Sequence, residues 1–278
     1  MTMIGVQNLS IRIEGRPILR DVSLRAGNGE FIGLIGPNGS GKSTLLRAMA
    51  RLLPPSSGGL WIAGKPLKDY SYKELARAVG YVPQDTSVDF DFSVRDIVLM
   101  GRYPYMSRFG AETRHDREIV RQAMLKTATL HLADRVVTSL SGGQRQMVLI
   151  AKALAQEPQV LLLDEPISAL DLRYQLHVLE LMRNLARQGR TVIAALHDLN
   201  LAARFCHRLV LLANGEVNGS GTPEEVLTPE TIERAYDVRA IVRIDPWFGS
   251  PCLTAISGNV DSSGQKERST INQHLQER

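Results

Sequence analysis

Residues 36–43 read Gly36-Pro37-Asn38-Gly39-Ser40-Gly41-Lys42-Ser43. A short apolar run, Phe31 to Ile35, stands before them. A helical pattern from about Lys42 to Leu53 follows and is stopped by Pro54-Pro55. The chain must therefore leave a buried strand, turn sharply and start a helix at once. Glycines let backbone N–H groups curl round an anion without side-chain clashes. The helix N-terminus adds the positive end of its dipole. This is the phosphate-binding loop pattern in full, in its required strand–turn–helix setting. With glycine near 7% of residues, a chance match in such a chain is on the order of one in a hundred. Lys42 then reaches the β- and γ-phosphates of a nucleotide, the Ser43 hydroxyl sits on Mg²⁺, and Thr44 follows in the first helical turn.

The remaining chain supports an α/β class. Residues 4 to 27 alternate apolar and polar, as in Val22-Ser23-Leu24-Arg25. This predicts antiparallel strands with turns at Glu14-Gly15 and Gly27-Asn28-Gly29. Ser56-Ser57-Gly58-Gly59 reads as a loop and Tyr81-Val82 as a short strand. Residues 86 to 157 read as a helical subdomain. Ser93 caps one helix through Met100, and Glu112 to Thr127 forms another with Ile119, Val120, Ala123 and Met124 on one face. Further on, Val160–Leu163, Thr191–Leu196 and Arg208–Ala213 are expected strands alternating with helices, which predicts a parallel sheet covered on both faces. Short helices are expected after Pro223 and Pro229. Beyond Gly258 the chain is polar and is expected to be disordered.

Composition narrows the function classes. The 278 residues carry a net charge of +4, with no basic stripe interleaved with aromatics, so nucleic-acid binding is not expected. No apolar run approaches the roughly 18 residues of a membrane span, and no signal-peptide pattern opens the chain. The two cysteines, Cys206 and Cys252, have no CxxC spacing and read as reduced thiols.

Two further motifs carry chemistry. Val160-Leu161-Leu162-Leu163-Asp164-Glu165 is a buried strand ending in two carboxylates. Asp164 is the candidate Mg²⁺ ligand and Glu165 the candidate general base for an attacking water. Leu140-Ser141-Gly142-Gly143-Gln144 opens a helix running to about Gln156, a second Gly-rich helix start suited to a phosphate.

That second motif resembles the signature of the ABC ATPases, and the phosphate loop and acidic strand flank it in that family's order. Gln84, after Tyr81-Val82-Pro83, is similar to the family's Q-loop glutamine at Mg²⁺ and the attacking water. Ser168-Ala169-Leu170-Asp171 resembles its D-loop, and His197 its switch histidine at the γ-phosphate. The resemblance covers about residues 3 to 245. It implies a P-loop NTPase core of ABC type with an antiparallel β subdomain and a helical subdomain, leaving 246–278 as a C-terminal extension. It implies ATP and Mg²⁺ as ligands and a head-to-tail homodimer with two sandwiched ATP molecules. Ser141 and the Gly143 N–H would touch the γ-phosphate held by the partner. It also implies membrane-spanning permease subunits, an extracytoplasmic substrate-binding protein, and a peripheral position on the cytoplasmic face of the inner membrane.

One position departs from the family. Its adenine-stacking aromatic corresponds to Ile13, and no aromatic residue lies between Met1 and Glu30, which leaves GTP open beside ATP. Residues 90 to 105, with Gly101-Arg102-Tyr103-Pro104-Tyr105, resemble the branch that powers import of ferric siderophores, haem and cobalamin. Gly221-Thr222-Pro223 to Leu227-Thr228-Pro229 resembles it too. Ferric siderophore is the expected cargo; haem or cobalamin import, export, and a soluble non-transport ATPase are the alternatives. The chain is too short for a repair-type coiled-coil insertion and holds one cassette where a translation-factor type has two.

Overall fold

The computed structural model describes residues 2–85, 90–107, 111–168 and 170–256. The expectation of disorder from about 258 lies outside them, as does Ala169 of the expected D-loop. In chain order the elements are β1 (Thr2–Ile13), β2 (Arg16–Gly27), β3 (Phe31–Ile35), α1 (Lys42–Met49), β4 (Ser57–Ile62), β5 (Lys65–Pro66), α2 (Tyr72–Ala78) and β6 (Val79–Val82). Then come α3 (Val94–Leu99), α4 (Arg114–Lys126), α5 (Gly142–Ala155), β7 (Val160–Asp164), α6 (Leu172–Arg187), β8 (Thr191–Ala195) and α7 (Leu199–Phe205). The chain continues through β9 (Arg208–Ala213), β10 (Glu216–Gly221), α8 (Pro223–Val226), α9 (Pro229–Tyr236), β11 (Arg239–Ile244) and β12 (Pro251–Ile256).

Three sheets form. The largest runs β10-β9-β3-β8-β7-β6, with every pairing parallel except β10 with β9. Its central strands are buried on both faces, because their side chains alternate between two cores. Ile32, Leu34, Leu162 and Ile193 face one core with α1 and the β1–β2 hairpin. Phe31, Leu161, Leu163 and Val192 face the other, with α3 to α7. Burying each such aliphatic side chain stabilises the fold by about 1.5–3 kcal/mol. The second sheet, β2-β1-β4-β5, is antiparallel, as the alternation in residues 4–27 predicts. Helices α3, α4 and α5 pack through Val94, Val98, Val120, Met124 and Val148. Each starts at a capping box, with Ser93–Asp96, Thr113–Asp116 and Ser141–Gln144 exchanging side-chain and backbone bonds.

Most expected boundaries shift by one or two residues, and three differ for a physical reason. Helix α1 ends at Met49 and not Leu53, because Arg51 turns left-handed (φ 58°) and the Leu52 N–H bonds back to the Arg47 carbonyl at 2.8 Å. Residues 57–59 of the expected loop begin strand β4 instead. Its glycines allow close approach to β1: a Cβ on Gly58 would lie 2.2 Å from the Asn8 carbonyl oxygen. Finally, β11 and β12 pair from Arg239↔Ile256 to Ile244↔Pro251, so a boundary at 245 falls inside a hairpin turn. Asn200 of α7 ties that hairpin to the core with both amide atoms on the Leu253 backbone (3.2 and 2.7 Å).

Candidate nucleotide-binding and catalytic site

The loop between β3 and α1 is shaped by two glycines that no other residue can replace in place. Gly36 has φ 144°, and a Cβ there would sit 2.0 Å from the Leu212 carbonyl oxygen. Gly41 has φ 102°, and its Cβ would meet Leu19 at 2.4 Å. Between them Gly39 (φ 77°) faces open space, and the Ser40 N–H bonds the Pro37 carbonyl at 3.2 Å. Lys42 is buried and folds back over the loop, donating to the Gly36 and Pro37 carbonyls at 2.8 and 3.1 Å. Burial pulls its ammonium below the usual lysine range, opposed by the charges of Glu165 and Asp164. The Ser40 hydroxyl is buried with no hydrogen-bond partner among the described residues. Gly41 supplies no side-chain cap to α1. A desolvated cation, an unsatisfied hydroxyl and uncapped helical N–H groups fit a phosphate chain. Gly36→Ala must move the loop off the Leu212 carbonyl, a strain of about 1–3 kcal/mol. It is expected to weaken nucleotide binding about ten-fold in a fluorescent-ATP titration.

At the end of β7, Asp164 is nearly fully buried. Its carboxylate accepts from the Ser43 hydroxyl at 2.8 Å and from the Tyr81 hydroxyl at 3.4 Å. Burial raises its pKa, and burial with the Asp164 charge pushes Tyr81 up to about 12. Tyr81 is the site residue that sequence reading placed only as strand. Its signal is positional: β6 pairs beside β7, so a residue near the end of β6 lies beside the acidic pair. One hydroxyl and one carboxylate are hard oxygen donors of the kind Mg²⁺ takes together with substrate phosphates. No cluster of three or more His, Cys, Asp or Glu suited to a metal occurs among the described residues. The Ser43 and Asp164 oxygens fit a metal completed by phosphate oxygens and water.

Glu165 follows in the left-handed region (φ 49°), a conformation costing about 1–3 kcal/mol for a residue with a Cβ. Ser168 closes that turn, its N–H and hydroxyl both on the Glu165 carbonyl (3.4 and 3.1 Å). The Glu165 carboxylate meets His197 Nε2 at 2.6 Å and accepts from Gln84 Nε2 at 2.7 Å. Together with Asn38 and Gly39 these three side chains line one open cavity. The structure thus brings Glu165, His197, Gln84 and the phosphate loop together. Gln84, expected near the metal, is bonded to Glu165 and not to the Ser43–Asp164 pair.

The signature residues lie apart from that cavity. Ser141 caps α5: the Gln144 N–H bonds its hydroxyl oxygen at 3.3 Å, and the Ser141 N–H bonds the Gln144 amide oxygen at 3.1 Å. Its hydroxyl proton remains available to donate. A Cβ on Gly142 would meet nothing within 4 Å, so the backbone there is open to a ligand. Asp171 caps α6 through the Tyr174 N–H at 3.0 Å. Ile13 ends β1 beside Arg16 and is 40% exposed, an apolar surface able to carry a flat base.

Comparison with known proteins settles the family. Residues 19–168, which contain the phosphate loop, Gln84, the signature and the acidic pair, match the sequence profile of the family described as ABC transporter. The chain belongs to the ABC transporter family. It is 47% identical over 254 residues to a cobalamin import ATP-binding protein of Halobacterium salinarum, covering 91% of this chain but 63% of that relative's length. It is 40% identical over 247 residues to the ferric enterobactin transport ATP-binding protein of Escherichia coli, covering 88% of this chain and 91% of that one. Among solved structures, a metal-chelate type ABC transporter in an inward-facing conformation superposes with a TM-score of 0.81 at 31% identity, covering 94% of this chain and 100% of that one. No helix of this ABC chain, among the described residues, is long and apolar enough to cross a membrane.

Proposed function

We propose that this chain is the ATP-hydrolysing subunit of an ABC importer, working as a homodimer that sandwiches two ATP molecules. The observation that carries this is the Gln84–Glu165–His197 cluster set against the phosphate loop. Glu165 accepts a proton from water as the water oxygen attacks the γ-phosphorus and the bond to the β-phosphate oxygen breaks. Gln84 orients that water, and His197 donates toward the departing γ-phosphate oxygens. Lys42 exchanges its loop carbonyls for phosphate oxygens, and Ser40 gains the partner it lacks. Ser43 and Asp164 would hold Mg²⁺, which when bound neutralises charge on the β- and γ-oxygens. Ser141 and the Gly143 N–H complete the site of the second subunit. Catalysis is then chiefly positioning and electrostatic stabilisation.

The partners follow from this reading: permease subunits in the inner membrane, with this chain on the cytoplasmic face, and an extracytoplasmic substrate-binding protein reached through the permease. A ferric siderophore is the proposed cargo, supported by the enterobactin relative and the metal-chelate type neighbour. Cobalamin is the second reading, favoured by the identity to the cobalamin relative. Uptake of labelled ferric siderophore and of labelled cobalamin by cells lacking this gene separates them. Complementation with the wild-type chain, and not with Glu165→Gln, is expected to restore siderophore uptake. Restoration of cobalamin uptake alone would transfer the assignment to cobalamin.

A further inference from the structure

The turn Gly101–Tyr105 does more than mark a branch of the family. It follows α3 and presses on the last turn of α5, where a Cβ on Gly101 would lie 2.2 Å from the Lys152 carbonyl oxygen. Arg102 is only 2% exposed. Its guanidinium bonds Asp116 of α4 at 2.9 Å, the Ala155 carbonyl at the end of α5 at 2.8 Å, and Glu157 at 2.9 Å. Tyr105 stacks on that guanidinium at 4.0 Å and donates to the Gln156 carbonyl at 3.0 Å. Two of the carbonyls that α5 leaves open at its C-terminus are thereby satisfied, one by a cation placed favourably for the helix dipole.

The core grips the same turn from the other side. Arg77 donates to the Pro104 carbonyl at 2.9 Å and Lys73 to the Met106 carbonyl at 2.8 Å, both from α2. Gln156 reaches back to the Ala76 and Val79 carbonyls. Three residues further on, the Gln159 N–H bonds the Ala78 carbonyl at 3.1 Å, and β7 begins on its way to Asp164 and Glu165. The C-terminal end of α5 is therefore where the signature helix joins the catalytic sheet. Its other end, about 20 Å away over 14 residues, carries Ser141 and Gly143. A small change of angle at the joint displaces that far end in proportion.

We propose that Gly101–Tyr105 is the joint of the signature helix, with Arg102 as the positioning residue that sets the angle at which α5 presents Ser141 to the nucleotide of the second subunit. The inference rests on the composite-site reading above. It is tested by ATP-driven dimerisation in the Glu165→Gln background. Arg102→Gln is expected to leave ATP affinity per subunit within about two-fold while weakening dimerisation about 5- to 30-fold. Arg102→Lys keeps the charge but not the fork and should fall between. Removing one partner of a buried ion pair can unfold a protein. If Arg102→Gln does not melt cooperatively, Tyr105→Phe combined with Glu157→Gln keeps the Arg102–Asp116 pair and should weaken dimerisation about two- to five-fold. A bracing role alone would lower the melting temperature with dimerisation unchanged, and that result in a folded variant overturns the proposal. Failure of Glu165→Gln itself to dimerise with ATP overturns the composite-site reading instead, and the joint's role falls with it.

Discussion

Glu165→Gln is expected to bind ATP and to hydrolyse it about 10²- to 10⁴-fold more slowly than the wild type. The substitution keeps volume and one oxygen acceptor, so either His197 or Gln84 retains its bond and the cavity keeps its shape. What disappears is a carboxylate able to take a proton from the attacking water. Phosphate release under steady turnover gives the rate, and a fluorescent-ATP titration gives the affinity. A rate within a few-fold of wild type would remove Glu165 as the base. A loss of ATP binding equal to the loss of rate would make its contribution one of charge and packing instead.

Ser141→Arg should abolish turnover by about 10²-fold or more, comparable to deleting a transition-state donor, while each subunit still binds ATP normally. The phosphate loop and Glu165 share a cavity that Ser141 does not line, so the affinity of one subunit has no reason to change. On the proposed composite site, the arginine would instead fill the space that the partner's γ-phosphate enters. Because Ser141 also caps α5, replacing it with Arg or Ala forfeits about 1 kcal/mol of helix stability. Ser141→Ala is therefore the control. It loses the same cap without adding bulk, so its turnover should exceed that of Ser141→Arg several-fold at equal melting temperature. Equal activity in the two variants and the wild type would count against a shared site.

Most of this machinery was legible in the sequence for a physical reason. The chemistry needs particular residue types at fixed local spacing, so Gly36 to Ser43, Asp164-Glu165 and Leu140 to Gln144 announce themselves. Gln84 and His197 were legible only through the family resemblance, since a lone glutamine or histidine has no signature. What escaped depends on partners distant in sequence. The glycines at 58 and 59 looked like a loop because the strand they join, β1, lies some fifty residues earlier. Tyr81 reads as an ordinary strand residue until β6 is laid beside β7. The burial of Arg102 follows from two distant segments, Asp116 of α4 on one side and Ala155 with Glu157 at the end of α5 on the other. Likewise the β11–β12 hairpin runs across residue 245, where the family resemblance ends.

If two copies of this chain close around ATP, the molar mass of Glu165→Gln by light scattering reports it. With saturating ATP and Mg²⁺ the expected mass is twice the 30.7 kDa of one chain, reverting to one chain without nucleotide and when Ser141→Arg is added. A single-chain mass at saturating ATP, or a dimer indifferent to Ser141→Arg, would contradict it.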